Sequence, residues 1–412
     1  SKDGRQFHNF QSVSSCLRFG LQRQRATQWL YRAFVARLAF EGEGYGLTRV
    51  SPDAFLPPNY PEARQAFLIA AQSVGAQLDV CLHPHKGFQG EEMAIDVAWL
   101  GAREASKVLV AISATHGVEG LYGSGCQTAW LQQFKSTSLP PDTAVMVIHA
   151  LNPYGFSWLR RVNEDNMDIN RNHVNFEAEL PVNEGYEDIH ACLLPDEWTP
   201  ASQLKLQQQI MAYLEQKGVR AGTRAVTGGQ YRHADGIFYG GTQLCWSNRQ
   251  LNQLAQKYLQ QAKLIAVLDH HTGLGPSGHT ELICRHPVDS ESLALARKWW
   301  GADVTSPASG ESASEVIGGN VRMAFVHLCP QATVVSIAME VGTQAQTQVM
   351  LALFADNWLY QKGEPHSSQG LAIRQQVRDA FFVDTPEWRD KAMKRGLAIW
   401  QDTLTGLNTT AV

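Results

Sequence analysis

The stretch covering residues 108–125 (VLVAISATHGVEGLYGSG) constrains the fold more than any other. Residues 108–112 are an apolar run that predicts a buried strand, and residues 120–134 mix small and apolar residues at helical spacing without a proline. His116 and Glu119 lie in the turn between them. Open α/β sheets place their chemistry where a strand ends and a helix begins. The stretch therefore predicts an α/β sheet with His116 and Glu119 at its functional edge.

Three further apolar runs have the same character. Residues 144–150, 264–269 and 334–338 each read as a buried strand that releases the chain into polar residues. Because the carboxyl ends of neighbouring parallel strands lie along one edge of a sheet, the polar groups that follow them can converge. We therefore predict a three-layer α/β/α sandwich around a mixed, mostly parallel twisted sheet, followed by a helical C-terminal tail.

Composition excludes several classes of protein. A net charge of −4 gives no reason to expect nucleic acid or an anionic membrane as a partner, and no apolar run is long enough to span a bilayer. The seven cysteines are scattered without a CxxC pair, which favours free thiols in a reducing compartment. We therefore expect a cytoplasmic protein with no nucleic-acid and no membrane partner, whose oligomeric state the sequence leaves open.

The first forty residues differ from the rest of the chain. Six arginines are set among Leu, Phe, Trp and Ala, and Asp3 is the only acidic residue before Glu41. Such a start is typical of an organelle-targeting segment, of a disordered extension or of a helix packed on the domain. If it is a transit segment, the protein is directed to an organelle instead of the cytoplasm.

Residues 152–176 (NPYGFSWLRRVNEDNMDINRNHVNF) form the most polar ordered-looking loop. A plain solvated loop would favour Lys, Glu, Ser and Gly, but here Arg and Asn dominate. These are the side chains that grip carboxylates and carbonyl oxygens with paired donors. The polar residues concentrated within twelve positions are Arg160, Arg161, Asn163, Asp168, Asn170 and Arg171.

The apolar run of residues 264–269 leads into a further candidate ligand. Two histidines and one glutamate complete the three protein ligands of an open catalytic zinc site. On an extended strand Asp269 and His271 share a face while His270 points the other way, so we favour His271. A register slip of one residue would put His270 in its place. Zinc would lower the pKa of a water molecule in the open position towards neutrality.

Glu340 follows the fourth apolar run and is the unassigned carboxylate that could take the proton of that water. A buried ion pair with Arg161 or Arg171 is the alternative interpretation of Glu340. Two other histidines, His83 and His85, lie on a predicted edge hairpin without nearby acidic residues, so we interpret them as surface histidines.

In this order the motifs resemble a known family. HxxE, the Arg/Asn loop, a strand-end His and a late Glu look like the M14-type zinc carboxypeptidases and the related aspartoacylase-like deacylases. The segments THGVEG, NPYGFSWLRRVNEDNMDINRN, DHHTGLG and MEVGT are similar to the branch called DUF2817. The resemblance runs from Leu56 to the C-terminus. It implies an N-terminal extension over residues 1–48 and a zinc-peptidase-like catalytic domain over residues 49–412.

The resemblance also implies a metal centre. His116, Glu119 and His271 match the ligands of one zinc ion. Asp168 matches an acid that supports the first histidine from behind, which fixes the tautomer and orientation of the ring. A turn-capping role is the alternative interpretation of Asp168 and Asn170.

Other matched residues would act on the substrate. Arg161 matches the arginine that polarises the scissile carbonyl, a choice over Arg160 that rests on the alignment of the Arg-Val-Asn triplet. Asn170 and Arg171 match the pair that holds a substrate carboxylate, and Glu340 matches the general base. The resemblance therefore implies a metallo-hydrolase that cleaves an amide bond next to a carboxylate in a small molecule or peptide. An N-acyl-amino-acid deacylase and a non-catalytic binding protein on the same fold are the alternatives.

One element of the carboxypeptidase pattern is missing. No tyrosine occurs between His271 and Glu340, where carboxypeptidases usually carry a mobile one. Tyr231 or Tyr239 could substitute from the Gly-rich loop of residues 228–243, which we interpret as a loop near the site.

Overall fold

A single eight-stranded sheet organises the part of the chain that the structure describes. The structure is a computed structural model, and it describes residues 52–134, 139–312 and 314–412. The predicted extension over residues 1–48 and its boundary lie outside these ranges. The strands follow the spatial order β1-β2-β4-β3-β5-β8-β6-β7. They are β1 (Gln77–Lys86), β2 (Glu92–Leu100), β3 (Lys107–Ile112), β4 (Thr143–His149), β5 (Leu264–Gly273), β6 (Thr280–Ile283), β7 (Val304–Thr305) and β8 (Thr333–Gly342).

The four predicted apolar strands are the centre of this sheet. They are β3, β4, β5 and β8, and they lie side by side and parallel. Antiparallel pairing occurs between β1 and β2, between β2 and β4, and between β6 and β8. Their residues are almost all buried, because helices cover both faces of the parallel part. The predicted α/β class with a mixed, mostly parallel sheet is confirmed.

Alternate residues of the central strands enter two separate hydrophobic clusters, one on each face. On β3, Leu109 and Ala111 belong to one cluster, and Val108, Val110 and Ile112 belong to the other. Successive side chains of a strand point to opposite faces, so this division is what two helical layers around one sheet require.

The helical layers comprise twelve α-helices in the described residues. Within those residues no helix is both long enough and apolar enough to cross a membrane. The helices are α1 (Tyr60–Ser73), α2 (Gly120–Gln133), α3 (Pro153–Trp158), α4 (Glu184–Leu193), α5 (Pro200–Lys217), α6 (Val219–Thr227), α7 (Trp246–Tyr258), α8 (Glu291–Trp300), α9 (Val321–Leu328), α10 (Gln346–Lys362), α11 (Ser368–Phe381) and α12 (Pro386–Thr409).

The turn after β3 is held against the polar loop that follows β4. The backbone N–H groups of Gly117 and Val118 donate to the carbonyl oxygens of Arg161 and Arg160, at 3.2 and 2.8 Å. A Cβ atom on Gly117 would lie 1.9 Å from the backbone carbonyl carbon of Gly155. Only glycine allows this approach, which brings the turn carrying the HxxE motif beside the Arg/Asn loop.

The interpretation of His83 as a surface histidine is wrong. The residue is only 7% exposed, and its ring packs edge-on against Trp246 with 4.5 Å between ring centroids. Its Nε2 atom lies 3.3 Å from a carboxylate oxygen of Glu164. Glu164 is far away in sequence and reaches His83 because the polar loop folds back onto the β1–β2 hairpin, whereas His85 is exposed as predicted.

His149, the last residue of β4, is a core histidine. It is fully buried, with its ring stacked on Phe67 at a centroid distance of 4.5 Å and its Nε2 atom 2.9 Å from the Ser124 hydroxyl oxygen. Burial lowers its pKa to about 3, because the charged imidazolium would lose its hydration. His149 is therefore neutral in the folded protein at physiological pH.

We predict that His149 contributes to acid destabilisation. The unfolded chain binds a proton near the ordinary pKa of 6.5 while the folded chain does not, so stability present above that pH is lost as the pH falls. Glutamine cannot titrate. When the pH is lowered from 7 to 5, His149→Gln should therefore lose about 2 kcal/mol less of its free energy of unfolding than wild type loses. Urea unfolding at both pH values measures this difference. The exposed His279→Gln serves as the control, and parallel pH profiles for wild type and His149→Gln would contradict the prediction.

Candidate metal centre

Two histidines and a glutamate from distant parts of the chain meet at one point. His116 and Glu119 lie in the turn after β3, and His271 lies near the end of β5. The Nδ1 atoms of His116 and His271 are each 2.9 Å from one of the two carboxylate oxygens of Glu119. All three side chains are buried, and one ligand atom from each lies within 4.8 Å of the others. The structure thus brings together the three residues predicted as metal ligands.

Each of the two histidines turns its second ring nitrogen towards a further carboxylate. The His116 Nε2 atom is 3.3 Å from an Asp168 oxygen, and the His271 Nε2 atom is 2.8 Å from an Asp269 oxygen. Such carboxylates orient metal-binding imidazoles and make their free nitrogens more basic. The supporting position of Asp168 was anticipated, but that of Asp269 was not. The sequence feature that could have predicted the position of Asp269 is its two-residue spacing from His271, which puts both side chains on one face of the strand.

The charges of these groups suit a cation. Burial alone would raise the pKa of Glu119, but His116 and His271 hold it at about 2. Burial would likewise lower the pKa of His271, yet the carboxylates of Asp269 and Glu119 outweigh it and raise the value to about 10. The site therefore stabilises positive charge between its carboxylates. Together with the donor set of two imidazoles and one carboxylate, this property fits zinc.

Glu340 faces the same point from the neighbouring strand β8. It lies opposite His271 in the β5–β8 register, and its Oε1 atom accepts a 3.0 Å hydrogen bond from the Leu274 N–H. Burial and the nearby Glu119 charge raise its pKa to about 7. Among the described residues its carboxylate makes no ion pair with an arginine, so the alternative ion-pair interpretation finds no support.

The Arg/Asn loop surrounds the centre with cations. The Arg161 Nε atom is 3.1 Å from an Asp168 oxygen, and its Nη1 atom is 3.6 Å from Glu119. Burial would raise the pKa of Asp168, but nearby positive charges, the largest contribution coming from Arg161, hold this pKa well below its usual range. Arg171 donates at 2.8 Å to the Thr227 carbonyl oxygen. Asp168 also accepts from the Asn170 N–H at 2.9 Å, so the turn-capping interpretation of Asp168 holds as well.

Asn170 and Arg171 both line the pocket that contains the three candidate ligands. The Asn170 side-chain oxygen accepts a 3.0 Å hydrogen bond from the Val321 N–H, which leaves its amide nitrogen as the donor for a ligand. The Nε atom of Arg171 is buried and has no hydrogen-bond partner among the described residues. Asn170 therefore has a free N–H donor in the pocket wall, and Arg171 places a guanidinium group beside it.

His270 and Arg160, the alternatives to His271 and Arg161, point away from the metal centre. The His270 Nδ1 atom lies 2.8 Å from the Ile112 carbonyl oxygen, and its Nε2 atom accepts a 3.0 Å hydrogen bond from Trp400. The Arg160 guanidinium lies 3.8 Å from the Tyr360 ring centroid and pairs with Asp356 at 3.3 Å. The structure therefore brings His271 and Arg161 to the centre, not His270 and Arg160.

Neither candidate tyrosine lines the pocket. The Tyr231 hydroxyl donates at 2.8 Å to the carbonyl oxygen of Arg171, and Tyr239 is buried in one of the two hydrophobic clusters beside the sheet. The suggestion that one of them replaces the missing carboxypeptidase tyrosine gains no support. The prediction that the Gly-rich loop lies near the site is correct, because its Phe238 is part of the pocket wall.

The sequence matches one family model. Residues 56–395 match DUF2817, described as a protein of unknown function. The chain belongs to the DUF2817 family. No curated protein matches the sequence.

Several solved structures are remotely similar to this DUF2817 protein. The succinylglutamate desuccinylase from Chromobacterium violaceum is 14% identical with a TM-score of 0.34, over 76% of this chain and 72% of that chain. The murein-tripeptide amidase from Escherichia coli O157 is 15% identical with a TM-score of 0.32, over 70% and 93%. The metallo-carboxypeptidase from Burkholderia cenocepacia is 11% identical with a TM-score of 0.37, over 84% and 69%.

The DUF2817 pocket has two further arginines that no sequence motif indicated, Arg285 and Arg322. The Nε atoms of both are buried without a hydrogen-bond partner among the described residues. Burial and the neighbouring charges of Arg322 and Arg171 lower the pKa of Arg285 to about 9. Arg322 was detectable in principle, since it is a lone charge in the otherwise largely apolar helix α9, but Arg285 carries no comparable signal.

We predict that Asp269 raises the affinity of the DUF2817 centre for zinc through His271. Asp269→Asn keeps the shape of the side chain but removes the charge that polarises the imidazole. The zinc dissociation constant should rise by about 10- to 100-fold, as is typical when a carboxylate behind a metal-binding histidine is lost. Competition with a chromogenic chelator measures it, with Asp303→Asn at the surface as the control. Equal affinities for wild type and Asp269→Asn would contradict the supporting role.

Proposed function

We propose that this protein is a zinc-dependent hydrolase that cleaves an amide bond next to a carboxylate. The observation that supports this most strongly is the convergence of His116, Glu119 and His271 beside Glu340, which makes no ion pair with an arginine among the described residues. One zinc ion would be held by His116, Glu119 and His271. When bound, zinc lowers the pKa of a water molecule and polarises a carbonyl group.

Glu340 is the general base in this proposal. A base works best when its pKa lies near the operating pH, and burial beside Glu119 raises the pKa of Glu340 to about 7. Its carboxylate would take a proton from the attacking water and return it to the leaving amine. The Leu274 N–H fixes one carboxylate oxygen at 3.0 Å and leaves the other to face the pocket.

Arg161 and Arg171 divide the recognition of the substrate. Arg161 is 14% exposed at its side chain and lies beside Glu119, where its guanidinium would stabilise the negative charge that develops on the carbonyl oxygen. Removing such a donor commonly costs about 3 kcal/mol of transition-state stabilisation. Arg171 and Asn170, which both line the pocket, would hold the substrate's free carboxylate. The substrate is then a small molecule or peptide that ends in a carboxylate next to the cleaved amide.

Arg285 and Arg322 favour a second candidate, an N-acyl-amino-acid deacylase. With Arg161 and Arg171 they place four guanidinium groups around one pocket, more than a single carboxylate and an oxyanion need. A substrate with a second carboxylate, on the acyl group or on the amino acid, would use the additional donors. Hydrolysis of acidic N-acyl amino acids but not of dipeptides would identify this activity.

We expect Glu340→Gln to bind zinc normally and to lose hydrolysis. The amide cannot accept the proton of the attacking water, so kcat should fall by about 10²- to 10⁴-fold on a panel of dipeptides and N-acyl amino acids. Zinc content and kcat are measured together, with the exposed Glu364→Gln as the matched control. Full activity in the zinc-loaded Glu340→Gln protein would rule out the general-base role. Zinc binding without hydrolysis of any panel member by the wild type would point instead to the binding-only alternative.

Arg171→Ala should weaken carboxylate recognition selectively. A hydrogen bond to a charged group contributes about 1.5 to 3 kcal/mol, so KM for substrates with a free carboxylate should rise by roughly 10- to 150-fold. KM for the matching carboxamide substrates should change little, and Arg171→Lys should recover part of the loss. Steady-state kinetics on both substrate series measures the contrast. An equal rise of KM for both series would show that Arg171 does not bind the carboxylate.

A further inference from the structure

Four other metal-ligating side chains cluster outside the catalytic pocket. Glu187 and His190 lie three residues apart on helix α4, so they share one face of the helix. His233 and Asp235 lie in the Gly-rich loop of residues 228–243. The E-x-x-H spacing on the helix and the H-x-D spacing in the loop thus point two donors from each segment towards one another.

Three of these side chains are close enough to share one ion, and the fourth, Glu187, contacts one of them. The imidazole rings of His190 and His233 stack with 3.8 Å between their centroids. The His233 Nε2 atom is 3.0 Å from a Glu187 oxygen, and the His190 Nε2 atom is 3.4 Å from an Asp235 oxygen. One ligand atom from each of His190, His233 and Asp235 lies within 4.8 Å of the other two. The second nitrogen of His190, Nδ1, is buried and has no hydrogen-bond partner among the described residues.

The charge balance of the cluster calls for a cation. Within the described residues, neither Glu187 nor Asp235 pairs with a lysine or arginine, so their two negative charges are balanced only by histidines. Protonating both stacked rings would place two positive charges next to each other.

We propose that His190, His233 and Asp235 form a second zinc site with a structural role. Two imidazoles and one carboxylate supply three of the four donors that zinc sites use, and the Glu187 carboxylate, 3.0 Å from His233 Nε2, is positioned to orient that ring or to complete the set. Zinc is preferred over magnesium and calcium, because imidazole nitrogen is a poor ligand for those hard cations. This site shares no residue with the proposed catalytic centre and does not depend on it.

A cation at this site would join helix α4 to the wall of the catalytic pocket. The loop backbone is anchored on its other side by Asn166, whose amide donates to the carbonyl oxygens of Ala234 and Gly236 at 3.0 and 3.1 Å. Three residues after Asp235, the buried Phe238 ring lies 5.0 Å from the guanidinium carbon of Arg161. Zinc binding at the cluster therefore fixes the segment that packs against the oxyanion-stabilising arginine.

Zinc stoichiometry of the full chain tests the proposal. The protein is stripped with a chelator, dialysed, titrated with zinc by isothermal calorimetry, and assayed for bound metal by mass spectrometry after washing with a large excess of magnesium. Wild type should bind two equivalents of zinc. His190→Ala/His233→Ala should lose one of them together with part of the zinc-dependent rise in melting temperature. The control His279→Ala, which changes an exposed histidine, should keep both.

Two further variants separate this site from the catalytic one. His116→Ala should lose the other equivalent of zinc and retain the one at the second site. Asp235→Asn should lower the zinc affinity of the second site alone, by about 10-fold or more, without disturbing the fold. A wild-type protein whose only bound zinc disappears in His116→Ala would overturn the proposal while leaving the catalytic centre intact. A single equivalent lost only in His190→Ala/His233→Ala would support the second site and contradict the catalytic one.

Discussion

The Glu119 carboxylate between two imidazoles is the interaction on which the rest of the site depends. Three carboxylates, Glu119, Asp168 and Asp269, are buried within reach of His116 and His271. Burying an isolated carboxylate destabilises the folded state by several kcal/mol. This arrangement is therefore stable only if each negative charge is compensated by a nearby positive charge or by hydrogen bonds. Arg161 balances Asp168 at 3.1 Å, and Thr115 donates to Asp269 at 2.6 Å. A cation held by the histidines would complete the balance.

The sheet supplies the positions that this balance needs. In the β3–β5 register Ile112 lies opposite Asp269, so the chain leaves β3 for the His116 turn beside the residues that precede His271. In the β5–β8 register His271 lies opposite Glu340. Because the side-chain period of a strand is two, a one-residue slip in either strand would turn these side chains to the other face. The register of the central strands therefore decides which side chains reach the site.

The sequence predicted the parts of this protein that depend on local patterns. The four central strands were visible as apolar runs, and strand alternation separated His271 from His270. The position of His83 and the presence of Arg285 in the pocket were not predictable, because each depends on segments that meet only after folding. The polar loop brings Glu164 to His83, while the antiparallel strand β6, which the periodicity did not reveal, leads into Arg285. Local periodicity carries no information about such long-range contacts.

Arg160 and Arg161 show how the fold gives neighbouring identical residues different tasks. Arg160 is held behind the loop by Asp356 and the Tyr360 ring of helix α10, and its Nη2 atom donates to Asn166 at 2.8 Å. Asn166 in turn holds the Gly-rich loop that carries Phe238. With Arg160 and Phe238 fixed from behind, the next guanidinium along the chain, that of Arg161, has its orientation set before any substrate binds. The proposed oxyanion-stabilising role of Arg161 would require such preorganisation, because no reorganisation is then left for the moment of reaction.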